Sequence, residues 1–208
     1  MRRTRVRRAG LALGLSLAVL ALPARPAVAG GVQYTDVAGD ARDVYNVKLD
    51  ARPSDPELDL RAVAWATSAD ELTVTTTLTA VGDPVASNGW AVAHHFDYAG
   101  FDFELLVQNS GTPSDQVFTD GVYLRNEGDS TIEYPCVCRM VVDPAKRQVT
   151  VRIELHSIGS AARAIDPRAK RPGPGSVFEI SGTTSYRMAG FLLAADKAFP
   201  SRARSLTL

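Results

Sequence analysis

The run Leu72 to Ala80 reads Leu-Thr-Val-Thr-Thr-Thr-Leu-Thr-Ala, and its strict period of two constrains the fold more than any other feature of the chain. Successive side chains of a strand point to opposite faces, so Leu72, Val74, Thr76, Leu78 and Ala80 share one face and Thr73, Thr75, Thr77 and Thr79 the other. A threonine-rich, β-branched stretch of this kind fits a half-buried strand better than a helix. Leu58 to Ala66 precedes it across the turn Thr67-Ser68-Ala69-Asp70, which predicts a hairpin.

The same pattern recurs along the chain. Trp90 to Tyr98 and Phe101 to Asn109 are alternating runs joined by Ala99-Gly100, and a two-residue loop containing glycine signals a tight hairpin. Cys138 to Val142 and Gln148 to Leu155 flank Asp143-Pro144-Ala145-Lys146-Arg147 as a third hairpin, while Val177 to Ile180 and Phe191 to Ala194 read as closing strands. Only His156 to Ile165 offers a short helix. Many short strands with almost no helix predict an all-β fold, an antiparallel β-sandwich of jelly-roll-like type.

Residues 1–29 follow the export pattern: a cationic stretch from Arg2 to Arg8, an apolar run from Ala9 to Leu22, and a small-residue exit at Ala27-Val28-Ala29. The apolar run is shorter than the roughly 20 residues that span a bilayer. We therefore expect residues 1–29 to be a cleaved secretory signal peptide and residues 30–208 a single β-sandwich domain. Secretion to the exterior or the periplasm follows, with no membrane association after cleavage. The whole chain has 23 basic and 23 acidic residues, but six arginines lie before Gly30, so the remainder carries 17 − 23 = −6. A net-acidic product argues against a nucleic-acid partner. Charge is also uneven, with 18 acids and 5 bases in residues 30–133 against 5 acids and 12 bases in residues 134–208.

Register within the tight hairpin gives the most specific spatial expectation. With Ala99-Gly100 as the loop, Tyr98 pairs with Phe101, Phe96 with Phe103, His94 with Leu105 and Val92 with Val107, forming an apolar and aromatic face. The other face pairs Asp97 with Asp102 and His95 with Glu104, gathering three carboxylates and an imidazole. Like charges directly opposite one another destabilise a hairpin, so a bound metal, Arg139 or Arg152 should balance them; a solvated outer face screened by salt fits the same pattern. A second oxygen-rich locus is Asp36-Val37-Ala38-Gly39-Asp40, extended by Asp43. Carboxylate and carbonyl oxygens around a glycine suit calcium, although the spacing is not that of an EF-hand and Asx-rich turns form without metal. Asp196 would join this locus if the terminal strands are neighbours.

Cys136 and Cys138 stand two residues apart in a chain expected to be exported. In an extended strand their Cα atoms would lie about 6.5–7 Å apart, so a bridge needs a local turn, which Pro135 permits. A local disulfide is the first expectation; a strained redox-active bridge, free or intermolecular thiols and a soft-metal pair are the alternatives.

Tyr34-Thr35-Asp36-Val37-Ala38-Gly39-Asp40-Ala41, followed by Leu58-Asp59-Leu60-Arg61-Ala62-Val63 and the threonine-rich strand, resembles exported bacterial β-sandwich domains of the DOMON and family-nine carbohydrate-binding group. That resemblance implies a binding role toward sugar, haem or calcium. For haem, a histidine and a methionine would serve as axial ligands, and His94, His95, Met140 and Met188 supply those residue types. The chain contains no Gly-x-Ser-x-Gly elbow, no His-Glu-x-x-His pair and no phosphate-binding glycine loop. The expectation is a non-catalytic carbohydrate- or surface-binding protein, calcium-stabilised in one version, with a haem- or metal-binding redox protein as the alternative. Exposed Trp65 or Trp90 would favour sugar, whereas burial would make them core residues.

Overall fold

Alternation is realised as two antiparallel sheets packed face to face. The structure is a computed structural model and describes residues 29–37, 42–43, 59–81, 90–109, 121–188, 192–200 and 204–208. Its elements are β1 (Ala29–Thr35), β2 (Arg42–Asp43), β3 (Leu60–Thr67), β4 (Glu71–Leu78), β5 (Trp90–Tyr98), β6 (Phe101–Asn109), β7 (Gly121–Asn126), β8 (Asp129–Tyr134), β9 (Cys138–Asp143), β10 (Gln148–Glu154), α1 (Leu155–Ile165), β11 (Val177–Met188), β12 (Leu192–Ala198) and β13 (Arg204–Thr207). One sheet runs β1-β3-β4-β10-β9; the other runs β2-β12-β11-β5-β6-β7-β8, with β13 also paired to β11. The chain passes repeatedly from one sheet to the other, which gives the sandwich its jelly-roll-like interleaving. Of the expected leader, residues 1–28 lie outside the described residues, and Ala29 opens β1.

Inward positions of both sheets meet in one core. Leu72, Val74, Thr76 and Leu78 of β4, with Trp65 of β3 beside them, face it as the period of two requires, opposite Phe96, Phe103, Leu105 and Phe178 of the other sheet. Trp65 and Trp90 are 1% and 3% exposed, so both fill the core and neither is a platform for a ligand. The β5–β6 hairpin has the expected register from Trp90↔Asn109 to Tyr98↔Phe101. Its loop residues Ala99 and Gly100 have φ of 59° and 82°, the double left-handed conformation that matches the twist of the flanking strands.

β11 is much longer than the expected Val177 to Ile180. It pairs with β5 along one side, and on the other it serves β13 through Val177–Ile180 and β12 through Thr183–Met188. The division falls at a register shift between Ile180 and Gly182. Phe199, just beyond β12, lies across Gly182: a Cβ there would stand 2.7 Å from ring carbon Cδ1. Glycine is what lets the ring come so close.

Candidate functional site

A cleft of about 410 Å³ opens at the sandwich edge where β1 faces β13, lined by Gln33, Tyr34, Thr35, Phe199 and Arg204. Alternation along β1 decides the lining. Tyr34 turns inward and is buried, while Gln33 and Thr35 are exposed. The Arg204 guanidinium donates a hydrogen bond to the Gln33 carbonyl and so ties β13 to β1. Phe199 is 60% exposed, held in place by its contact with Gly182. Among the described residues, the cleft therefore offers the Phe199 ring, the Gln33 amide, the Thr35 hydroxyl and the Arg204 guanidinium. Tyr34 and Thr35 open the stretch that carries the resemblance, whereas Gln33, Phe199 and Arg204 have no local signal in the sequence. Phe199 is a lone aromatic after a short strand, and only the long-range pairing of β11 with β12 and β13 brings it to β1.

Beneath the cleft a chain of polar contacts enters the core. Tyr34 Oη and Thr183 Oγ1 are 2.8 Å apart, and Thr183 Oγ1 is 3.0 Å from His94 Nδ1. His94 Nε2 faces Thr76 Oγ1 at 3.4 Å, and the ring meets Trp65 edge-on at 5.7 Å. His94 is fully buried, and burial lowers its pKa from 6.5 to about 3, with His95 adding a smaller push in the same direction. Its imidazole is neutral at physiological pH. Burial likewise raises the Tyr34 phenol above its usual value, partly offset by the hydrogen bond to Thr183. His94 is thus a hydrogen-bonded core residue with a hydroxyl at each ring nitrogen. Met140, on β9, packs at the margin of the same core, and the side chain of Met188 lies outside the described residues.

The acidic hairpin face forms with the expected pairing, Asp97↔Asp102 and His95↔Glu104. β11 extends it, placing Glu179 beside Asp97, so Asp102, Asp97 and Glu179 form a row across three strands. Burial raises the Asp97 pKa; the Gly100 N–H bond opposes this, and Asp102 and Glu179 add to it. Burial also raises Glu104, while His95 and Arg125 oppose that shift. The expected counter-charges Arg139 and Arg152 are not here, because β9 and β10 belong to the other sheet, where the two arginines stand opposite each other. Arg125 of β7 takes the role: it is in register with Glu104, and its Nε donates to Glu133 Oε1 at 3.0 Å. His95 Nδ1 lies 3.4 Å from Glu127 Oε1.

The structure separates the second acidic locus into parts. Asp36 accepts the Val37 N–H through Oδ1 at 2.9 Å. Asp40 lies outside the described residues, and Asp43 sits in β2 opposite Ala194 with its side chain also outside them. Asp196 is buried; its Oδ2 accepts the Leu60 N–H at 2.7 Å and its Oδ1 the Lys197 N–H at 2.8 Å. Its carboxylate therefore pins the start of β3 to β12. Among the described residues, no group of three or more His, Cys, Asp or Glu is placed to hold a metal ion.

Cys136 and Cys138 form a disulfide, with Cα atoms 5.4 Å apart. The pair avoids the extended-strand separation because residues 135–137 leave the strand between β8 and β9. A bridge between i and i+2 closes a very short loop and removes little entropy from the unfolded chain. Replacing both cysteines by serine should therefore leave a folded protein whose melting point falls by only a few degrees, less than about 1 kcal/mol. Thermal unfolding checks this, and collapse of the double variant would contradict it.

Compared with known proteins, the chain matches no family model and no curated protein.

Proposed function

We propose that this is an exported, non-catalytic β-sandwich protein that binds a carbohydrate at the cleft between β1 and β13. The observation that carries the reading is the exposed Phe199 ring beside Gln33, Thr35 and Arg204. Sugar rings present a C–H face that stacks on an aromatic ring and hydroxyls that pair with amide and guanidinium groups. The cleft volume lies within the few hundred cubic ångströms typical of small-ligand sites. Among the described residues that line the cleft none carries a carboxylate, imidazole or thiol, and what they offer a ligand is stacking and hydrogen bonding. The resemblance to exported sugar-binding sandwiches names the same ligand class, and the leader-like residues 1–29 supply the compartment.

The test is retention of the mature protein on a panel of soluble and insoluble polysaccharides. Phe199→Ala should weaken the best binder at least tenfold, equivalent to about 1.4 kcal/mol, with an unchanged melting point. The exposed ring contributes little to the fold, which separates the two effects. If no polysaccharide is retained, or if Phe199→Ala binds as well as the parent, the reading fails.

A further inference from the structure

The Cys136–Cys138 bridge is placed for chemistry rather than for stability. Both cysteines are only partly buried, and Val137 between them is exposed. The segment is pinned without help from the bridge: the Val137 N–H donates to Ser157 Oγ at 2.9 Å, and the Val137 carbonyl accepts the Glu154 N–H at 3.1 Å. Cys138 is also held in register with Ile153 through β9 and β10. Breaking the S–S bond therefore releases no element of the fold.

The surroundings of the two sulfurs differ. Cys136 Sγ lies 3.7 Å from the Val122 carbonyl oxygen, which disfavours negative charge on that sulfur and accepts a hydrogen bond from its thiol when reduced. Cys138 is in register with the buried Ile153 and packs against the core, while Arg139 and Arg152 pair on the opposite, exposed face of the sheet. The first turn of α1, held against Val137 through Ser157, carries no acidic residue. Glu154, just before the helix, has His156 Nδ1 3.5 Å from its carboxylate. A sulfur near a helix N-terminus carries negative charge more easily than one that faces a carbonyl oxygen.

We propose that Cys136–Cys138 is a thiol–disulfide exchange site that accepts electrons from small or protein thiols. The incoming thiolate attacks Cys136 Sγ, the S–S bond breaks, and Cys138 leaves with the electron pair as a thiolate. A second thiol then attacks the incoming sulfur of the mixed disulfide, releasing a disulfide and returning Cys136 as a thiol. Two thiols are oxidised, and the protein bridge gains two electrons and two protons. Cys138 is the leaving sulfur because a thiolate on Cys136 would face the Val122 carbonyl oxygen.

The experiment treats the oxidised, folded mature protein with millimolar reduced glutathione, quenches with acid, and maps adducts by peptide mass. The expected result is full reduction without denaturant, an early glutathione adduct on Cys136, and unchanged circular dichroism. In single-serine variants, each melting within a few degrees of the parent, alkylation of Cys138 should rise through a lower pH than alkylation of Cys136. A bridge that opens only after unfolding overturns the proposal. So do a first adduct on Cys138 and coincident alkylation profiles near the ordinary thiol value of about 8.5.

Discussion

Taking the folded protein from pH 7 to pH 4 is expected to remove about 3 kcal/mol of stability through His94 alone. The unfolded chain binds a proton on this residue near pH 6.5, whereas the folded protein holds it neutral until about pH 3. Protonation therefore favours the unfolded state, and stability falls as pH drops through the window between those values. Above pH 6.5 both states are neutral at this position and the effect vanishes. Asp97 and Glu104 work in the opposite sense, since their raised folded-state values favour protonation of the folded protein. A variant at position 94 separates the contributions. Urea unfolding of the parent across this range should show the loss, and His94→Gln, which keeps a hydrogen-bonding side chain, should flatten it. Parallel pH profiles for the two proteins would contradict the assignment. A His94 ring resonance titrating near pH 6.5 in the folded parent would do so without any variant.

Phe96→Ala should be the most damaging single substitution, costing about 3–5 kcal/mol. Phe96 is fully buried where the sheets meet, with ring centroids of Trp65, Phe103 and Phe178 at 5.9, 5.7 and 6.2 Å. Rigid aromatic neighbours on three sides cannot collapse into the space left behind, so the loss of transfer energy is compounded by a cavity. Equilibrium unfolding measures the difference. A loss below about 1 kcal/mol would mean that the core repacks freely and is less specific than these contacts imply.

The β5–β6 hairpin was legible in the sequence to the residue, because two apolar alternations meet at a two-residue loop that admits only one register. The same logic located β3, β4, β9, β10 and α1. What escaped was written in other terms. β7 and β8 are short, and β8 lies at a sheet edge with exposed Thr131, Ile132 and Glu133, so no buried face marks it. β11 was cut short because Ser181 to Ser185 reads as a polar loop, yet Thr183 and Ser185 face the core. Hydrophobic periodicity cannot report a strand that buries hydroxyls against a histidine. The acidic face was half visible: its local pairs followed from the hairpin, while Glu179 and Arg125 arrive through pairing that no local pattern encodes. The cleft was invisible for the same reason.

The position of β11 in the chain also sets when folding can finish. β5 pairs on one side with its immediate successor, but its other edge stays bare until Val177–Met188 arrives, and β4 likewise waits for β10. Closing such long loops makes this a topology that completes in milliseconds to seconds rather than microseconds. A nascent chain emerging from the ribosome thus holds hairpins but neither finished sheet until most of it has been made. Until the last strands arrive, the open edges of β4 and β5 are the places where the unfinished chain can pair with another.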